Sequence, residues 1–301
     1  MARADRAFAL LVLLALGSGA ILIALLGTLL PHAVDLATRG ADGTDAVAVL
    51  LLLCATLGIG LGLTSLFRQL LATLALIRSL LRHRVPLSPR VEAAARGLGL
   101  DGRIDLVDDP RPFSFCYWFL RPRVCVSTGL ARRLDRPELR AVLLHERYHL
   151  RHRDPLRIVI ARYFAAGLYV IPLVEDLVEY YALEKEIAAD GEAVASSGVG
   201  PLARALYKLL PDADMVSLGL LVPVGALSVT EARIDQLVEG HGVAPTFRPL
   251  SIAVSGGALA AAVTLAASGV ILAPAFLLVA AAISGAAQQL RLVARALPLT
   301  G

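Results

Sequence analysis

Long uncharged apolar runs alternate along this chain with charged, periodic stretches, and the alternation predicts its elements. Residues 7–30 carry no charge over 24 positions, enough for a helix to cross a hydrocarbon core of about 30 Å at about 1.5 Å per residue. Residues 46–67 form a second uncharged run, 22 positions long. A third, residues 251–287, is broken by Gly256, Gly257, Ser268, Gly269 and Pro274. It reads as one long tilted span or as two short ones meeting near Ser268-Gly269. Arg3 and Arg6 precede the first run as they would in a signal peptide, but the run is longer than the usual core of about 7 to 15 residues, so a spanning helix is expected.

The flanking charges orient these spans. Arg68, Arg78, Arg82, Arg84 and Arg90 follow the second run and mark the cytoplasmic side, whereas the loop with Asp35, Arg39, Asp42 and Asp45 is net acidic and reads as external. The first two spans then form an in-out-in hairpin. Arg291 and Arg295 in the tail favour a cytoplasmic C-terminus, and hence two crossings in the third region.

Between the apolar regions the pattern changes to short strands and amphipathic helices. Residues 104–107, 113–119 and 124–126 read as strands, the last two joined through Leu120-Arg121-Pro122-Arg123. Asp135 with Glu138 three positions on is a capping box, Pro137 sits in the first turn, and Asp154-Pro155 ends the helix near Arg151. The fold class expected is a mainly α membrane protein: transmembrane helices plus a cytoplasmic α+β domain with a small β-hairpin or sheet. Residues 1–78 are the N-terminal transmembrane hairpin, 79–250 the cytoplasmic domain, and 251–301 the C-terminal transmembrane region and tail.

Composition sharpens this picture. Hydrophobic residues make up 57%, charged residues 18%, and the mean hydropathy is +0.69, which excludes a purely cytosolic globular protein. The net charge of +4 does not point to nucleic acid: the basic residues are almost all arginines scattered between apolar segments, where they set orientation. Cys54, Cys116 and Cys125 are an odd number and imply no disulfide framework. Cys116 and Cys125 read either as reduced thiols facing each other across a hairpin or as small buried hydrophobes.

The candidate chemistry lies on the capped helix, in His145-Glu146-Arg147-Tyr148-His149. Histidines at i and i+4 share a face, so both imidazoles can reach one zinc ion at about 2.1 Å, and Glu146 beside them can serve as a base. A third ligand is needed, and Glu186-Ile187-Ala188-Ala189-Asp190 offers it. Glu186 is the expected ligand, and Asp190, one turn on, can hydrogen-bond a ligand histidine. Glu179, Glu184 and Glu192 are rival ligands without a carboxylate four residues further on. The segment 156–174 is apolar, but His149 and Glu186 must reach the same metal, so no crossing is expected there; it should pack against the spans and keep the site near the bilayer. Candidates for an oxyanion donor are Tyr163, Tyr207, His152 and Arg233. His152 also suits a helix end, while Tyr148 and Trp118 read chiefly as packing, Trp118 with a groove-lining alternative.

These residues resemble the integral-membrane zinc peptidases of the BlaR/MecR type, which are related to the CAAX-prenyl-protease and heat-shock membrane peptidases. The resemblance covers about residues 112–198. It rests on Arg121-Pro122-Arg123-Val124-Cys125-Val126-Ser127-Thr128-Gly129-Leu130, on residues 138–146, on Arg153-Asp154-Pro155, and on residues 186–190. It implies that residues 79–250 form a zincin-like zinc-peptidase domain, that His145, His149 and Glu186 bind one zinc ion per chain, that Glu146 is the catalytic base, and that Asp190 supports a ligand. Arg233-Ile234 is similar to a weaker downstream motif of these peptidases. Cys116 departs from the family, which often has glycine there. No serine-x-x-lysine motif of a penicillin-binding sensor occurs in these residues, so antibiotic sensing by the chain itself is not expected. The function expected is a multi-pass cell-membrane zinc endopeptidase with its active site on the cytoplasmic side. Its partners are the lipid bilayer and a protein substrate, such as a transcriptional repressor or a membrane protein, with no nucleic acid. The alternative is a non-catalytic membrane transducer that keeps the zinc fold as a scaffold.

Overall fold

The computed structural model describes residues 3–39, 43–209, 233 and 247–267. The chain starts with two long helices, α1 (Arg3–Arg39) and α2 (Gly43–Leu81), which contain the first two apolar runs and extend beyond them. Among the described residues one stretch, Leu53–Leu81 of α2, is long and apolar enough to cross a membrane. The expected meeting point of two C-terminal crossings at Ser268-Gly269 lies outside the described residues. Before it, helix α9 spans Pro249–Ala267.

After α2 come β1 (Arg84–Val85), α3 (Pro89–Ala95), β2 (Ile104–Val107), β3 (Ser114–Tyr117) and β4 (Arg123–Ser127). They form one four-stranded sheet in the order β1-β2-β4-β3, in which β2 and β4 are parallel and the other pairs antiparallel. The strand predicted at 113–119 is shorter because the backbone turns at Trp118, whose φ of 65° is a left-handed conformation that a bulky residue rarely adopts. This turn also sets the register. Phe115 pairs with Cys125 and Cys116 with Val124, so the two cysteines are offset by one residue and project to opposite faces of the sheet. Of the two readings of this pair, facing thiols is therefore ruled out, and small buried hydrophobes is the one the structure shows. Cys116 packs against the main core and Cys125 against a smaller cluster with Ile77, Val107, Phe113 and Tyr117, each as a small hydrophobe.

One face of the sheet carries that main core. Val91, Leu100, Val124, Val126, Leu130, Leu139 and Leu143 pack there with α3, α4 (Thr128–Arg133), α5 (Arg136–His152) and α8 (Val199–Leu209). Gly129 is required where α4 leaves the sheet, because a Cβ there would lie 2.1 Å from the Pro110 carbonyl oxygen. On the other face, Ile77, Leu80 and Leu81 of α2 cover Phe113, Phe115 and Tyr117. Helix α6 (Asp154–Gly167) is 14 residues long, about 21 Å, and runs along α2. Glycines make this approach close: a Cβ on Gly58 would sit 2.5 Å from the Gly167 carbonyl oxygen, and one on Gly62 would sit 3.1 Å from the Tyr163 ring. Helix α7 (Leu173–Ser197) then returns past α5 and packs on α1.

Candidate metal centre

Helix α5 starts as its sequence dictates. The Asp135 carboxylate accepts from the Glu138 N–H at 2.9 Å, and the Glu138 carboxylate accepts from the Asp135 N–H at 2.8 Å. The far end is set by Arg153, which adopts φ 53° and ψ 42° and turns the chain sharply from α5 into α6. Between these points His145 and His149 lie one turn apart on the face toward α7, both buried, and Glu186 of α7 comes up opposite them.

The two imidazole nitrogens and the two Glu186 oxygens converge on one point. His145 Nε2 and His149 Nε2 are 3.0 Å apart, His145 Nε2 is 3.4 Å from Glu186 Oε2, and His149 Nε2 is 3.6 Å from Glu186 Oε1. Donors about 2.1 Å from a tetrahedral ion stand about 3.4 Å apart, so this spacing suits a zinc-sized cation. The outer nitrogens are engaged as such a site requires. His145 Nδ1 is 2.8 Å from Asp190 Oδ1, and His149 Nδ1 is 2.6 Å from Asp154 Oδ2. Each carboxylate is placed to accept an Nδ1–H, which turns Nε2 of each ring inward. Burial alone would lower the His145 pKa, but its hydrogen bonds to Asp190 and Glu186 outweigh burial and push it up to about 9. Burial would likewise raise Glu186, yet the neighbouring imidazoles, His149 first, hold it well below the usual carboxylate range.

Glu146, buried beside the first histidine, accepts a 2.7 Å hydrogen bond on Oε1 from the Ser114 hydroxyl of β3. Among the described residues β3 pairs only with β4, so its other edge has no strand partner. Arg233 reaches the site from far along the chain. Its Nε and Nη2 donate to the two Asp190 oxygens at 2.7 Å each, and its Nη1 is 3.6 Å from Glu186 Oε2.

The remaining predicted residues fall elsewhere. Glu192 binds Arg147 at 2.7 Å, Glu179 is an exposed partner of Arg248, and Glu184 is buried outside the donor set. Tyr207 is exposed, Tyr163 lies against Gly62, and His152 stacks on Tyr148 with its Nδ1 2.9 Å from the Tyr148 carbonyl oxygen. Sequence reasoning missed the placement of Ser114 on Glu146 and of Asp154 on His149. Asp154 was visible only as a helix stop and as part of Arg153-Asp154-Pro155, with no role of its own.

The sequence profile described as BlaR1 peptidase M56 matches residues 32–211, well over half of the chain and all of the donor set. The chain belongs to the BlaR1 peptidase M56 family. Two curated relatives of this M56 chain carry protease names. It is 49% identical over 49 residues to Protease HtpX homolog 1 of Streptomyces coelicolor, which covers 16% of each protein. It is 30% identical over 144 residues to the Protease HtpX homolog of Moorella thermoacetica, which covers 36% of this M56 chain and 48% of that protein. The chain thus spans about half or less of the curated relatives it matches.

Proposed function

We propose that this M56 chain is a membrane-embedded zinc endopeptidase that hydrolyses a cytoplasmic or membrane-proximal protein. The observation that carries the reading is the donor set of His145, His149 and Glu186 with Glu146 alongside it, held by Ser114. In this reading the three residues hold one zinc ion, Asp190 and Asp154 fix the two rings, and Arg233 holds Asp190. Zinc, when bound, supplies Lewis acidity that activates water and polarises a carbonyl. Glu146 takes a proton from the water that attacks the scissile carbonyl and returns it to the leaving amine nitrogen. The Ser114 hydroxyl fixes one Glu146 oxygen and leaves the other to carry that proton. An extended substrate adds to the open edge of β3, the strand that also places Ser114. Helices α1 and α2 act as a spanning hairpin whose arginine-rich end keeps the site on the cytoplasmic side.

The test is zinc content and turnover of an unstructured reporter protein by the full chain in lipid discs. Wild type should hold about one zinc and cleave, while Glu146→Gln should hold the same zinc and lose at least about 100-fold in turnover. Equal cleavage by both would overturn the base assignment, and absence of zinc from both would overturn the ligand set.

A further inference from the structure

The four side chains expected as oxyanion donors are taken up elsewhere. Tyr163 lies against Gly62 of α2, Tyr207 is exposed on α8, and His152 stacks on Tyr148. Arg233 commits its guanidinium to Asp190 and Glu186. Another polar group stands at the centre. Lys185 immediately precedes Glu186 on α7, and its side chain is only 13% exposed. Among the described residues the one ionic partner of its ammonium is Glu186 Oε1 at 3.8 Å, too long for a hydrogen bond. Three N–H donors are thus held beside the donor set with no acceptor among the described residues.

The two cations sit on different sides of the Glu186 carboxylate. Arg233 faces Oε2, the oxygen 3.4 Å from His145 Nε2, whereas Lys185 faces Oε1, the oxygen 3.6 Å from His149 Nε2. The Lys185 charge also reaches the strand that carries Ser114. Ser114 and Cys116 point to the same face of β3. At Cys116 burial first, then the charges of Glu146 and Asp154, push the thiol pKa up, while the charge of Lys185 opposes them. One thiol therefore feels both the base and the ammonium. Holding the metal does not account for this lysine, because a positive charge next to a ligand carboxylate opposes a cation that binds there. It is matched instead to negative charge that develops only during reaction.

We propose that Lys185 is a catalytic residue that stabilises the oxyanion of the scissile peptide bond. As water adds to the carbonyl carbon, the C=O electron pair moves onto oxygen, and a Lys185 Nζ–H donates a hydrogen bond to that oxygen. Lys185 keeps its proton. The pair returns to re-form C=O as the C–N bond breaks and Glu146 delivers its proton to the leaving amine. The proposal rests on the reading of the centre as a zinc endopeptidase.

The test compares the full chain in lipid discs as wild type, Lys185→Met and Lys185→Arg, with an unstructured reporter protein as substrate and a chromogenic chelator competing for zinc. Lys185→Met should lower kcat by about 100-fold or more with little change in KM, the loss expected for one oxyanion donor. Its zinc affinity should equal or exceed that of the wild type, which a merely structural loss would not produce. Lys185→Arg, which keeps charge and donors, should recover most of kcat. Lys185→Gln, uncharged and one bond shorter, carries the same expectation as Lys185→Met if methionine disturbs the helical circular dichroism. An unchanged kcat in Lys185→Met, a loss confined to KM, or a fall in zinc affinity that accounts for the lost turnover would overturn the role of Lys185 and leave Glu146 and the donor set standing. Absence of cleavage by the wild type would remove the endopeptidase reading and this inference with it.

Discussion

At the level of single residues, the candidate centre is held by carboxylates that lie outside the three-residue donor set. Asp154 and Asp190 each accept a hydrogen bond from the outer nitrogen of one histidine, and Arg233 in turn binds Asp190 through two contacts. Such partners fix the tautomer and ring angle, and their loss typically costs about 10- to 100-fold in metal affinity. Asp154→Asn should therefore weaken zinc binding by that factor in a chelator competition while leaving the helical circular dichroism intact; unchanged affinity would show that His149 needs no such partner. Asp190 was legible in the sequence because it stands one helical turn beyond Glu186. Asp154 was not, because its contact depends on the left-handed turn at Arg153, and nothing in the sequence marks an arginine for that conformation. Ser114 was hidden for a similar reason: its partner Glu146 is 32 positions away and meets it only where α5 packs on β3.

At the level of elements, one carboxylate ties the whole sheet together. Asp105 of β2 is 1% exposed and receives Arg84 of β1 at 2.8 Å, Arg123 of β4 at 2.9 Å, and the Tyr117 hydroxyl of β3. Burial alone would raise its pKa, but the hydrogen bonds from Arg123 and Tyr117 and the two arginine charges hold it below the usual range. The sign follows from linkage. A depressed folded-state pKa stabilises the protein above the unfolded value of about 3.9, and that contribution is lost as the pH falls through the lower folded value. Asp105→Asn should lose about 3 to 5 kcal/mol at neutral pH, and thermal unfolding should fall off less steeply with acid below about pH 4 than in wild type. A variant with wild-type stability would sink this account. The elements themselves were largely legible. The capping box placed α5 to within a residue, and the alternating apolar runs placed β2 and β4. The strand register was not, because a five-residue connection leaves the pairing open by one position, and the backbone at Trp118 decides it.

For the molecule as a whole, what matters is how the long apolar helix meets the chemistry. Helix α6 leads directly out of His149 and beds against α2 at Gly58 and Gly62, so the metal centre and α2 are packed as one body. Gly58→Ala should therefore force the two backbones apart and cost about 1 to 3 kcal/mol in thermal stability. Gly60→Ala, whose new methyl meets nothing within 4 Å, should be neutral or up to about 1 kcal/mol stabilising. Equal behaviour of the two variants would mean that the close approach is not tightly packed. The apolar run of α2 and the histidine helix were each visible in the sequence. Their joint was not, because a glycine that permits close contact looks the same as one that merely loosens a helix.

That joint also has a bearing on how the protein comes into being. His149 and Glu186 stand on either side of α6, and α6 beds along α2 while also touching α1 and α7. A chain whose first helices are not in place lacks the longest surface against which α6 beds. On the proposed reading, the candidate site would then reach its full rigidity only once α2 is seated.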